Sequence, residues 1–367
     1  MSERLCRWGI MSTAGIARKN WQAIRNTDNA TIVAVASRDA AKAKAFVDEC
    51  QTQIPFDAKP DALGSYEALL SREDVDAVYI PLPTGVRKEW VIKAAQAGKH
   101  VMCEKPCADT LADLVEMTDV CRENNVQFMD GVMFMHSERM AAMRAVLDDG
   151  ESVGRIRRIQ AQFSFCAPDE FLTGNIRVNS ALESLGCLGD LGWYTVRMTL
   201  WALNYELPVK VTGRLLATRQ NDDSPEAVPM EFSGELIFAN GVSAGFYNSF
   251  QTENMQLVNI SGSKGYLTLD DFVLPFYGNR VSFETNSSSF STDCCDFHME
   301  EHTRHYAVRE YSDSKPEAQE TNLFHNFSAL ALSGTVDDTW PSIALKTQQV
   351  LNACLESARN GGKEVSL

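Results

Sequence analysis

Apolar and polar positions divide the chain into two parts with different rhythms. In the first part, short apolar runs at 7–11, 30–36, 77–80, 100–103 and 127–131 alternate with longer amphipathic stretches. Each run is apolar at consecutive rather than alternate positions, the pattern of a strand buried on both faces of a parallel sheet. The stretches reaching to Ile24 and covering 39–49, 86–97 and 110–124 have helical spacing, and Gly98 stands where a helix C-terminus favours glycine. A turn-rich segment at 52–64 leads into a short apolar stretch at 66–70. Strand and helix in strict alternation predict a doubly wound parallel sheet.

Near 134–136 the rhythm changes. One more helix is expected at 137–149, then a long strand at 155–165 with partial alternation through Ile159, Ala161, Phe163 and Phe165. Further strands are expected at 209–216, 230–239, 242–250, 256–260 and 265–269, with Asn240-Gly241 as a hairpin turn. The polar, serine- and acid-rich stretch 279–320 reads as a surface excursion. A helix at 343–359 and a strand at 364–367 close the chain. The expected fold class is α/β: an N-terminal doubly wound Rossmann domain, residues 1–134, plus a C-terminal α+β domain, residues 135–367. The second domain carries a large, mostly antiparallel open sheet. One sheet face without helices predicts a homodimer through that face.

Composition narrows the function. The chain has 367 residues, enough for two cores, and is 44% hydrophobic. A net charge of −15 argues against nucleic-acid binding, which needs basic patches. No apolar run approaches a membrane span. The first six residues are polar, so no signal peptide is expected. Ten cysteines without a CxxC pair read as reduced thiols, and a cytoplasmic location is expected with no structural metal.

Candidate chemistry sits at the ends of strands. His100-Val101-Met102-Cys103 runs directly into Glu104-Lys105-Pro106. A lysine at the carboxyl end of a parallel strand lies where ligands dock in such sheets, and proline fixes φ beside it. A surface Glu104–Lys105 pair is the plainer alternative. After the first strand, Ser12-Thr13-Ala14-Gly15-Ile16 occupies the position of a glycine-rich dinucleotide turn, with Gly9 before it but Ser12 and Ala14 in place of the next two glycines. The second strand ends in Ser37-Arg38-Asp39. Ser37, Arg38 and Lys42 suit a ribose 2′-phosphate and hence NADP, with NAD possible; Asp39 as a helix cap is the alternative. Pro81-Leu82-Pro83-Thr84 makes a stiff platform beside the same edge. In the second part, Gly186-Cys187-Leu188-Gly189-Asp190-Leu191-Gly192-Trp193-Tyr194 opens a helix continuing to about residue 202 and sets Asp190 and Tyr194 four apart on one helical face. A carboxylate and a phenol there, with the lysine, form a candidate proton-handling set.

Taken together these motifs, with Ser261-Gly262-Ser263-Lys264-Gly265, resemble the glucose-fructose oxidoreductase / inositol dehydrogenase (Gfo/Idh/MocA) family. The likeness is greatest to its NADP-dependent dihydrodiol dehydrogenase / D-xylose 1-dehydrogenase branch and the uncharacterised plant-type members of that branch. The resemblance implies a dehydrogenase acting on a carbinol carbon of a sugar, polyol or diol. Lys105 would be its catalytic lysine, with Tyr194 and Asp190 beside it. Ser12, Thr13, Ala14, Ile16, Ser37, Arg38, Lys42, Pro81, Leu82, Thr84, Glu104 and Lys105 would hold the cofactor. Two other readings stay open: a non-catalytic sensor of the same fold, and a glycosidase-type enzyme that recycles NAD. Arg87 and Arg197 stand at departures from the family pattern and read either as contacts to an anionic substrate or as surface residues. His136 reads as a structural histidine. His302 and His305 read as solvated, with a metal as the alternative.

Overall fold

The computed structural model describes residues 4–367. Residues 1–3, half of the polar stretch read above, lie outside the described residues. In chain order the elements are β1 (Cys6–Met11), α1 (Gly15–Asn26), β2 (Ala30–Ala36), α2 (Ala40–Gln53), β3 (Asp61–Leu63), α3 (Tyr66–Leu70), β4 (Ala77–Ile80), α4 (Thr84–Gln96), β5 (His100–Cys103), α5 (Leu111–Glu123), β6 (Phe128–Asp130), α6 (Glu138–Asp148) and β7 (Ile156–Cys166). Then follow α7 (Asp169–Gly174), α8 (Gly186–Asp190), α9 (Gly192–Ala202), β8 (Lys210–Arg219), β9 (Val228–Ile237), β10 (Ser243–Ser249), β11 (Gln251–Met255), β12 (Val258–Gly262) and β13 (Tyr266–Leu269). The chain ends in β14 (Arg280–Asp293), β15 (Asp296–Arg309), α10 (Gln319–Ser333), α11 (Thr339–Arg359) and β16 (Val365–Ser366). Two compact units result. The first is Met1–His136, Ser180–Ser184 and Asp313–Gln348; the second is Ser137–Asn179, Leu185–Ser312 and Gln349–Leu367.

The first unit is built on a six-stranded sheet in the order β3-β2-β1-β4-β5-β6, with every pairing parallel. All carboxyl ends therefore lie along one edge, and the strand order reverses between β1 and β4, where ligands bind in such sheets. Local chemistry sets the helix starts. Asp39, Ser65 and Thr110 each accept backbone N–H bonds at the N-termini of α2, α3 and α5. Gly98, at φ +71°, follows the end of α4.

The sequence reading assigned no element to 321–342, yet α10 fills much of it and packs on this sheet. Trp8 of β1 is fully buried, meets the rings of Phe324 and Phe327 at 5.1 and 5.0 Å, and donates its indole N–H to Ser328 Oγ at 3.0 Å.

The second unit holds a ten-stranded sheet ordered β15-β14-β13-β12-β7-β10-β9-β8-β16, with β11 on β7. Only β7 and β10 pair in parallel, so the expected mostly antiparallel sheet is present. Gly213 lies so close to α11 that a Cβ there would come 2.1 Å from the Cys354 carbonyl, which locates the helix-covered face. Residues 279–320 are not an irregular excursion: most of them form the β14–β15 hairpin, paired along all 14 residues of each strand. Its base alternates burial through Val281, Phe283 and Thr285, while the distal half is exposed on both faces and so reads as polar loop. The turn is Cys294-Cys295, both thiols exposed, with Cys294 at φ 53° and no glycine or asparagine to announce it.

Replacing Trp8 by alanine removes the anchor of α10 and leaves a cavity. Urea denaturation is expected to show a loss of about 3–5 kcal/mol.

Candidate active site

Four loops of the first unit meet the carboxyl edge of its sheet, and together with the first turns of α1, α2 and α4 they carry every cofactor-side residue named from the sequence. In the β1–α1 turn, Ser12 has φ 151°, a conformation that favours glycine, and its Oγ accepts the Ala14 N–H at 3.0 Å. Thr13, Ala14 and Ile16 follow at the start of α1, which has no side-chain cap and no acid in its first turn. Its first N–H groups remain available to an anion. A Cβ on Gly15 would meet nothing within 4 Å.

At the end of β2, Asp39 spends its carboxylate on the backbone N–H groups of Ala41 and Lys42, at 2.8 and 3.3 Å. Ser37 is buried and accepts the Asp39 N–H at 3.3 Å, while Arg38 and Lys42 are exposed cations on either side of that cap. Asp39 thus caps the helix, as one reading of this tip expected, and leaves its carboxylate committed between two exposed cations. Burial pushes the nearby Tyr66 phenol up, against the Arg38 charge that draws it down. An open helix N-terminus beside a cationic strand tip fits the pyrophosphate and 2′-phosphate of a dinucleotide.

Lys105 follows β5 and is half-buried, with a cis bond to Pro106. Glu104 turns its carboxylate inward: Oε1 accepts the Tyr79 hydroxyl at 2.5 Å and Oε2 accepts the Lys105 backbone N–H at 3.2 Å. Gly131 leaves room for it, since a Cβ there would come 3.2 Å from Glu104 Oε1. Burial, then the Glu104 charge, push the Tyr79 phenol well above its ordinary value, so it stays a proton donor. Asn20 completes the chain by donating to Tyr79 Oη at 2.6 Å.

Arg87 corrects both sequence readings. It is 3% exposed, so it is not a surface residue, and its guanidinium is spent on main-chain carbonyls. Nε donates to the Leu82 carbonyl at 2.9 Å; Nη1 donates to the Glu104 carbonyl at 2.8 Å and also to that of Pro106. Thr84, at the first turn of α4, donates its hydroxyl to Glu183 at 2.6 Å. Glu183 was not visible as a site residue from sequence, because only the fold brings it to α4.

In the second unit the glycine-rich start is two helices, not one. Gly186 has φ +48°, α8 ends at Asp190, and α9 begins after a break at Leu191. Asp190 and Tyr194 thus belong to separate helices. Arg177, unnoticed in the sequence, holds Asp190 with Nε 2.8 Å from Oδ2. Asp190 and Arg177 line a cleft of about 330 Å³ whose walls are Phe163, Phe165, Phe171 and Leu274. Tyr194 is 6% exposed and packs edge-on against Phe163 at 5.7 Å. Arg197 is fully buried, its guanidinium 5.9 Å from the Trp193 ring centroid, so surface placement is excluded for it too. His302 and His305 sit three apart on β15 and so face opposite sides; His305 pairs with Glu284 at 2.8 Å.

A Rossmann unit with an anion-ready turn, joined in one chain to a mixed-sheet unit with a carboxylate-bearing cleft, defines a nicotinamide-cofactor oxidoreductase. Comparison with known proteins agrees. Residues 6–132 match the oxidoreductase family with NAD-binding Rossmann fold and residues 140–268 match the GFO/IDH/MocA C-terminal domain. The chain belongs to this GFO/IDH/MocA family. It is 33% identical to D-xylose 1-dehydrogenase (NADP(+)) 2 of Haloferax volcanii, over 71% of this chain and 74% of that protein. It is 32% identical to dTDP-3,4-didehydro-2,6-dideoxy-alpha-D-glucose 3-reductase of Streptomyces violaceoruber, over 76% of each. Among solved structures, the aldose-aldose oxidoreductase of Caulobacter crescentus shares the fold with a TM-score of 0.80 at 23% identity, over 99% of this chain and 100% of that one.

Replacing Tyr79 by phenylalanine takes a donor from the inward-facing Glu104 carboxylate while keeping the ring. Guanidinium unfolding is expected to show a loss of about 1.5–3 kcal/mol, the range for a hydrogen bond to a charged group.

Proposed function

We propose that this chain is an NADP-dependent oxidoreductase that moves a hydride between the nicotinamide and a carbinol carbon of a sugar, polyol or diol. The reading rests on Lys105, a half-buried amine at the carboxyl end of a parallel strand. The same sheet edge carries the anion-ready turn and the Arg38 tip. The NADP preference is supported by Arg38 and Lys42 flanking an Asp39 already committed as a cap, and by the NADP dependence named for the Haloferax relative.

Ser12, Thr13, Ala14 and Ile16 would hold the pyrophosphate at the start of α1, and Ser37, Arg38 and Lys42 the ribose phosphate. Pro81, Leu82, Thr84 and Glu104 would border the nicotinamide side. When bound, the cofactor accepts or gives the hydride. Lys105, as amine, and Tyr194, as phenol, are the two groups assigned to take or return the hydroxyl proton. Asp190, held by Arg177, orients a substrate hydroxyl as a hydrogen-bond acceptor. The aromatic walls of the cleft suit the apolar face of a sugar ring or an aromatic diol. The first unit thus serves the cofactor and the second the substrate, in a cytoplasm-like compartment that suits ten free thiols.

A screen of NADP and NAD reduction across pentoses, hexoses, inositols and diols tests the activity. In Lys105→Met, turnover is expected to fall by about 10²–10⁴-fold while NADPH binding, followed by fluorescence, persists. Turnover close to wild type would remove Lys105 from the mechanism.

We also propose a homodimer through the helix-free face of the larger sheet. Ladders such as Arg158–Glu235 and Tyr247–Glu231 run across that face, and they border a shallow cleft of about 510 Å³. Sedimentation velocity is expected to give a dimer, and a monomer at micromolar concentration would exclude it.

A further inference from the structure

Behind Lys105 stand three linked side chains, Arg87, Thr84 and Glu183, and the hydride-transfer reading gives a task only to Thr84. The guanidinium of Arg87 reaches the carbonyls of Glu104 and Pro106, the two residues that flank Lys105. Its other acceptors are the Leu82 carbonyl and the Thr84 hydroxyl, the latter at 3.3 Å from Nη1. Thr84 has one hydroxyl proton and two acceptors within reach, Glu183 Oε2 at 2.6 Å and the Pro106 carbonyl at 3.3 Å. The shorter bond to a carboxylate takes the proton. The oxygen then keeps its lone pairs for Arg87, so hydrogen bonds link Glu183 through Thr84 to Arg87, and Arg87 to the main chain on both sides of Lys105.

Glu183 is itself fixed. Its Oε1 accepts the Thr84 N–H at 3.1 Å, capping α4 where Pro83 supplies no side-chain cap. The segment Ser180–Ser184 that carries it belongs to the first unit, while the residues on either side of it belong to the second. The Gly85 N–H donates to the Leu182 carbonyl at 3.0 Å, and a Cβ on Gly85 would come 2.2 Å from the Ala181 carbonyl. Glycine is required for that approach. Ser184 Oγ donates to Asp109 at 2.5 Å and pins the far end of the segment.

We propose that Arg87 and Glu183 are positioning residues that act through Thr84 and the flanking carbonyls to hold the Lys105 amine in its working place. The proposal rests on the reading of Lys105 as the proton-handling amine. The chain segment that leads directly into α8, the helix that ends at Asp190, thereby also sets the geometry of Lys105.

The variants are Glu183→Gln, Arg87→Lys, Thr84→Val and Thr84→Ser, each checked for folding by circular dichroism. Two readouts are taken: steady-state kinetics with NADP and the best substrate of the screen, and the pH dependence of Lys105 acetylation by acetic anhydride, followed by peptide mass spectrometry. Misplacement on the scale of 1 Å predicts kcat lower by about 10–10²-fold in Glu183→Gln, Arg87→Lys and Thr84→Val, with KM for NADP within about twofold of wild type in Glu183→Gln and Arg87→Lys. In those variants the acetylation profile of Lys105 shifts, while that of the exposed Lys363 does not. Thr84→Ser recovers most of what Thr84→Val loses, because it restores the hydroxyl. Folded Glu183→Gln and Thr84→Val proteins with wild-type kcat and a wild-type acetylation profile would overturn the proposal. Should Lys105→Met turn over normally, the mechanistic reading of Lys105 falls, and the acetylation profile still decides whether Arg87 and Glu183 hold its amine.

Discussion

A buried guanidinium with carbonyls for partners is the constraint on which the first unit's working edge depends. Arg87 gives up nearly all its hydration, and a buried cation is tolerated only where its donors are satisfied. Three loop carbonyls supply that satisfaction. The end of β4, the start of α4 and the turn after β5 therefore cannot drift apart without exposing an unmet charge. Glu104 and Tyr79 brace the same turn from the opposite side with a protonated phenol against a carboxylate. Rigidity here comes from hydrogen bonds to charged groups rather than from apolar packing, and it falls on the turn that carries Lys105.

Much of the first unit was legible in the sequence because its strands are buried on both faces. Runs such as Ala77-Val78-Tyr79-Ile80 have no polar face to blur them, and the motifs at their ends fall on one edge by the geometry of parallel pairing. The β14–β15 hairpin was illegible for the converse reason. Its distal half has no buried face, so no alternation marks it, and its turn is two cysteines rather than a glycine-bearing pair. The helix α10 was passed over because its burial is decided by Trp8, more than three hundred residues upstream.

Side-chain roles were less legible than elements. Lys105 and Asp190 were visible as chemistry at strand and helix ends, but their partners were not. Arg177 and Glu183 carry no local signature, since what matters about them is the loop they are folded against. Arg87 misled because an arginine in a helix normally reads as solvated, and only the carbonyl cage reveals its task. Ser12 shows a related effect: the fingerprint is altered in letters, while the backbone at that position still takes a positive φ of a kind that glycine adopts most readily.

The hairpin also places β15 at the open margin of the larger sheet. Such a margin offers unpaired N–H and C=O groups as a template for another chain, and here Phe297 and Met299 lie exposed along it. Asp296, Glu300 and Glu301 stand among them and oppose stacking by like-charge repulsion. Charged side chains, and neither a proline nor a bulge, therefore guard this margin, so its resistance to pairing with a second chain rests on charge alone.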